Sequence, residues 1–239
     1  MNSKRIFPAA VLAFAIVAQL TWAGPKRSER PARETAEYLY GMPETLSMGE
    51  LEDLIGKPTI LDTMYYIFDD AATGERRVSG YADLIAVFDA PIKDMLAVSA
   101  DFEGYPRFLP RVLDSRIDSG NGSIYRVWYD TGVKLLGIQV SYKVRSETVI
   151  ESVGGSAIAL RSKLIESLDG SLYEHFVSIY LEPVVLKGRP MTFVRYFNRP
   201  GIRKPSLGTL QIVRLFAPSE GKAQVLAFGR EAVRRAGDR

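Results

Sequence analysis

A chain of 239 residues, 46% hydrophobic and 25% charged with a formal net charge of +3, has an ordinary globular composition and room for one domain with extensions. It has no cysteine, which excludes disulfides, a cysteine-linked lipid anchor and thiolate zinc or iron–sulfur sites. One histidine excludes multi-histidine metal centres, and no P-loop, HExxH, GxSxG or dinucleotide-binding glycine pattern is present, so no metal and no cofactor is implied.

In chain order, Lys4 and Arg5, the apolar run Ile6–Leu20 and the small-residue site Thr21-Trp22-Ala23 have the anatomy of a secretory signal peptide over residues 1–23. The run is short for a membrane span, which needs about 20 residues. Its removal takes away Lys4 and Arg5 and lowers the net charge from +3 to +1, so nucleic acid is not an expected partner. The expected location is exported, periplasmic or secreted. Residues 24–76 read as an N-terminal extension, broken by Pro25, Pro31, Pro43 and Pro58, that packs on the main domain. Ser47 and Glu50 have capping-box spacing before Leu51, Leu54 and Ile55, which predicts a short helix near 48–55. Thr59–Phe68 is β-rich in type.

The main domain, 77–239, opens with a strand over about 78–89. Pro91 then stands at a helix's first position, and Gly104 ends or kinks that helix. Phe108 and Leu109 follow as residues able to plug an interior, before a strand from Val112. Ser119–Gly122 is a turn, and strands follow over 124–131, 138–150, 157–167, 172–183, 191–198 and 209–216. The clearest alternation puts Ile138, Val140, Tyr142 and Val144 on one face. On the 172–183 strand, Tyr173, His175, Val177, Ile179 and Leu181 share a face. Pro218-Ser219-Glu220 starts a last helix, with Val225, Phe228 and Ala232 on one stripe.

The order of elements resembles the START-like, helix-grip (SRPBCC) superfamily, in particular its polyketide cyclase/dehydrase and coenzyme-Q-binding branch. The likeness is carried by Val87-Phe88-Asp89-Ala90-Pro91, Ala100–Pro106, Phe108-Leu109-Pro110 and Ser115, and it spans about 78–236. It implies an α+β fold: a curved antiparallel sheet wrapped around a long C-terminal helix, with two short helices after the first strand. It also implies a deep apolar cavity holding lipids, quinones or polyketides, without implying a shared reaction.

Three readings of function follow. The first is an exported protein that binds a hydrophobic small molecule or lipid between sheet and last helix. Its pocket is expected to include Phe108, Leu109, Tyr142, Tyr173, His175, Arg195, Val225 and Phe228. The second is a polyketide cyclase/dehydratase-like enzyme with His175 as acid/base, since an imidazole titrates near neutrality. A lone histidine without a placed partner is weak support for that, and absence argues against catalysis more than anything present argues for it. The third is a protein-interaction module whose cavity is filled by side chains. Arg195 alternates with Met191, Phe193 and Phe197 on an apolar face, so it needs a partner, expected to be Asp130 or Glu174. The run from 183 to 219 has seven cations and no acid, which permits contact with an anionic membrane surface but is also how a solvated face reads.

Overall fold

A computed structural model describes residues 41–135 and 138–238 of the chain, so the expected signal peptide and the start of the extension lie outside the described residues. The elements are α1 (Met48–Asp53), β1 (Thr59–Asp69), β2 (Arg76–Phe88), α2 (Ile92–Ser99), a 3-10 turn (Phe102–Gly104) and α3 (Tyr105–Phe108). There follow β3 (Val112–Gly120), β4 (Ile124–Leu135), β5 (Ile138–Ser152), β6 (Ile158–Ser167), β7 (Leu172–Leu186), β8 (Arg189–Arg203) and α4 (Thr209–Gly237).

The eight strands form one antiparallel sheet in the order β1-β2-β8-β7-β6-β5-β4-β3. After β2 the chain crosses through α2, the turn and α3 to the far edge, then returns strand by strand until β8 pairs with β2. The main core lies on the face that curls around α4. There Leu84, Ala86, Phe88, Leu160, Leu181 and Tyr196 meet Val225, Phe228 and Ala232. Gly221 and Gly229 let the helix settle on β2, because a Cβ at Gly229 would stand about 2.0 Å from the Phe88 ring.

Two expectations change. Thr59–Phe68 is not part of an extension lying on the domain: β1 pairs with β2 along its length and is an edge of the sheet. Its outward neighbour α1, closed by the expected Ser47/Glu50 capping box, covers the convex face with Leu51 and Leu54 on Ile85, Val87 and Phe193. The second change is at 209–216, which is helix and not strand. Leu210, Ile212, Arg214 and Phe216 alternate, but Leu210, Val213 and Ala217 also recur at helical spacing. It is this second pattern that packs, on Tyr65, Val78 and Ile202. α4 therefore runs 29 residues, roughly 43 Å at 1.5 Å each, with Pro218 inside it. That proline cannot donate to the carbonyl four residues back. Packing on both sides of it, on β1 below and β2 above, holds the helix through the gap.

Candidate functional site

Between the concave face and α4 lies a cavity of about 210 Å³. One water needs about 10–15 Å³ on the same kind of measure, so the space takes a multi-atom ligand and is not filled by side chains. β4 to β8 form its floor and wall, Gln224 and Phe228 of α4 its roof, and Phe102, Tyr105 and Leu109 a lid.

The lid is held by short hydrogen bonds. The Tyr105 hydroxyl donates to the Ser99 carbonyl at 2.5 Å, and the Ser115 hydroxyl donates to the Phe102 carbonyl at 2.6 Å. Its two ends are tied to α4 by ion pairs: Arg235 to Asp101 at 2.6 Å, and Arg111 Nε to Glu220 at 2.6 Å. Tyr105 also packs against Phe108 and Phe228, edge to face. Burial pushes the Tyr105, Tyr129 and Tyr196 hydroxyls well above their ordinary pKa, so all three stay neutral.

Polar groups follow the register of the strands. Thr148 of β5 lies opposite Ser162 of β6, Ser162 opposite Val177 of β7, and Val177 opposite Asn198 of β8. The Thr148 hydroxyl donates to the Ser162 hydroxyl at 3.1 Å, and Ser146 lies two residues along β5. At the β7–β8 end the Tyr196 hydroxyl donates to Gln224 Oε1 at 3.1 Å. His175 stands beside it. Burial lowers its pKa to about 4, against the opposing pull of the Asn198 side chain, so the imidazole is neutral at pH 7. His175 lines the cavity and also borders a second pocket formed with Tyr173 and Phe176.

Of the expected pocket residues, Leu109, Tyr142, His175 and Phe228 line the cavity. Phe108 and Val225 pack in the core behind it, Phe108 edge-on to Phe228 at 6.0 Å. Two stand on the other face. A bulge between Leu172 and Glu174 breaks the alternation of β7, so Leu172 and His175 both face inward and Tyr173 outward. The Tyr173 ring lies over Gly201, edge-on to Phe68 and under the Arg77 guanidinium. Arg195 is also convex, where it forks onto Asp83 at 2.8 and 3.0 Å and donates to the Gly41 carbonyl at 3.2 Å. Its partner is thus neither Asp130 nor Glu174, and Glu174 pairs with Arg199 at 2.7 Å. The apolar face that carries Arg195 is real but is covered by α1 instead of lining the cavity. The hydroxyl row escaped sequence reading because serine and threonine at period two count as the wet side of a strand.

The profile of the polyketide cyclase / dehydrase and lipid transport family matches residues 88–179, from the end of β2 to the middle of β7. This stretch carries the lid and most of the cavity floor. The chain has the START-like, helix-grip fold. No curated protein matches it in sequence. Among solved structures, the START-like domain is similar to a STAR-related lipid transfer protein from Xanthomonas axonopodis, at TM-score 0.52 and 12% identity over 74% of this chain and 98% of that one. It is similar to human StAR-related lipid transfer protein 5, at TM-score 0.51 and 7% identity over 74% and 87% of the two chains. The Zhui aromatase/cyclase from Streptomyces sp. R1128 matches at TM-score 0.50 and 16% identity, over 66% and 95%. At these identities the likeness is one of fold.

Proposed function

We propose that this START-like domain is an exported carrier that holds a hydrophobic molecule or lipid in its cavity and leaves it chemically unchanged. The observation that carries this reading is an open cavity walled mainly by apolar and aromatic side chains, with no carboxylate among its described lining residues to partner His175. Binding sites of this kind take their affinity from apolar burial and their orientation from a few polar groups. The similarity to lipid transfer proteins supports a carrier. A side-chain-filled interaction module is disfavoured by the open space.

Residues 1–23 supply the export signal in this reading. Fractionation of host cells expressing the full chain, and a chain starting at Gly24, tests it: only the first should reach the periplasm or medium. Release comes from contact with an anionic membrane. The turn before α4 and the helix's N-terminal half expose Leu207, Ile212, Leu215 and Phe216, with Leu207 at 94% and Leu215 at 69%, beside the cations Arg203 and Lys204. An exposed apolar stripe edged by cations suits an anionic bilayer. Co-sedimentation with phosphatidylglycerol vesicles should fall for Leu215→Ser and with added salt.

The deciding experiment is native mass spectrometry of protein purified from its host, followed by extraction of the bound material. A reproducible hydrophobic adduct supports a carrier; protein that is empty and binds no member of a lipid panel refutes it. The competing reading, a cyclase/dehydratase with His175 as base, draws on the imidazole's being neutral at pH 7. His175→Ala distinguishes them, because a base loses about 10²-fold or more in turnover while a carrier keeps its ligand.

A further inference from the structure

We infer that the cavity is built for an uncharged lipophile ending in a hydroxyl or carbonyl group, and that it rejects fatty acids and phosphate-bearing lipids. The inference rests on the carrier reading above and narrows it.

The twenty described residues that line the cavity include no lysine, arginine, aspartate or glutamate. The chain is not short of cations; they are engaged elsewhere. Arg195 forks onto Asp83 and Arg199 donates once to Glu174, both on the convex side of the strands that wall the cavity. Arg107, within the lid helix, points to solvent 3.4 Å from Asp101, and Arg111 and Arg235 at the lid's ends are held by Glu220 and by Asp101 and Glu231. Arg214, on the helix above, donates twice to the Tyr65 carbonyl. A carboxylate or phosphate entering the cavity would therefore lose its hydration and meet no counter-charge, which costs several kcal/mol for a buried ion.

What the cavity does offer is neutral and clustered. At the β7–β8 end, His175 and Gln224 line a corner of imidazole and amide groups, with the Tyr196 hydroxyl behind them on Gln224 Oε1. The Ser162 and Thr148 hydroxyls and the Gln224 side chain, all lining the cavity, can accept from a ligand hydroxyl. The imidazole and the Gln224 amide supply donors for a carbonyl or hydroxyl oxygen. From this corner the row of Ser162 and Thr148 leads across the floor, flanked by Leu160, Val177 and Ile179 on the same wall. One neutral polar end in the corner with an apolar body along the wall satisfies every group in the arrangement. A charged end does not.

The test uses the delipidated full chain at pH 7.5 and probes that share a body and differ in the end group: hexadecane, 1-hexadecanol, palmitate and hexadecyl phosphate, then a steroid alcohol with its sulfate ester. Affinities are read by calorimetry or native mass spectrometry. The alcohols should bind at least 10-fold tighter than hexadecane and 100-fold tighter than their charged counterparts. Gln224→Leu should weaken 1-hexadecanol at least 10-fold relative to hexadecane. Gln224→Lys, with a native circular dichroism spectrum, should raise palmitate affinity at least 10-fold. Palmitate or phosphate binding as tightly as the alcohol overturns the inference and leaves the carrier standing. Failure of every probe on both bodies overturns the carrier reading and this inference with it.

Discussion

The two faces of β7 and β8 handle polarity in opposite ways. On the convex face, charges are buried and paired: Asp83, at 0% exposure, with Arg195, and Arg199 with Glu174 while stacked 4.1 Å over the Phe176 ring. On the concave face, one residue along the same strands, the polar groups are hydroxyls, amides and a neutral imidazole facing open space. A buried ion pair needs fixed partners, as the Gly41 carbonyl supplies to Arg195, while α1 covers the apolar residues of the same face. A cavity that must admit and release a ligand cannot offer them. The difference separates what holds the fold from what meets the ligand.

The comparison breaks most sharply at Asp83. Asp83→Ala takes the carboxylate away from the largely buried Arg195 guanidinium and should cost about 3–5 kcal/mol in denaturant unfolding, with ligand affinity unchanged at temperatures where the protein stays folded. Replacing both partners, Asp83→Leu with Arg195→Met, should recover most of that loss.

The concave face responds to pH instead. His175 titrates near 6.5 in the unfolded chain and near 4 in the folded one. Between those values the unfolded state holds more protons, so stability falls as pH drops from about 6.5 to 4 and is flat in this group below that. The limit of the loss is about 3 kcal/mol, and water in the cavity reduces it. His175→Gln should remove this part of the slope in unfolding curves measured across that window.

The seat of α4 on β2 sharpens the same contrast, since it sets the height of the cavity roof. Gly229→Ala improves helix propensity by about 1 kcal/mol yet should destabilise the protein by about 1–3 kcal/mol, because the added methyl meets the Phe88 ring. The smallest effect belongs to the half-exposed Arg111–Glu220 tie at the lid. Arg111→Ala should cost under about 1 kcal/mol in stability, while ligand exchange measured by stopped-flow fluorescence becomes faster.

Much of the arrangement was legible in the chain itself. Period-two patterning placed Tyr142 and Val144 on the inward face of β5, and both line the cavity. The capping box set α1, and the Phe88–Pro91 and Ala100–Pro110 segments announced the crossing and its lid. These are short-range properties of backbone and side-chain spacing, and nearest neighbours suffice to set them.

Tertiary structure decided the rest. The bulge at Leu172–Glu174 turned Tyr173 outward and kept His175 inward, an event that depends on β8 being the neighbour. Residues 209–217 satisfy both a strand and a helix pattern, and became helix because Tyr65 and Val78 wait on β1 and β2. Arg195 lies on an apolar face as its alternation implies, but only the assembled sheet shows that face closed by α1 and its charge met by Asp83. Sequence periodicity says which residues share a side; it cannot say what covers that side, because the covering residues lie more than a hundred positions away along the chain.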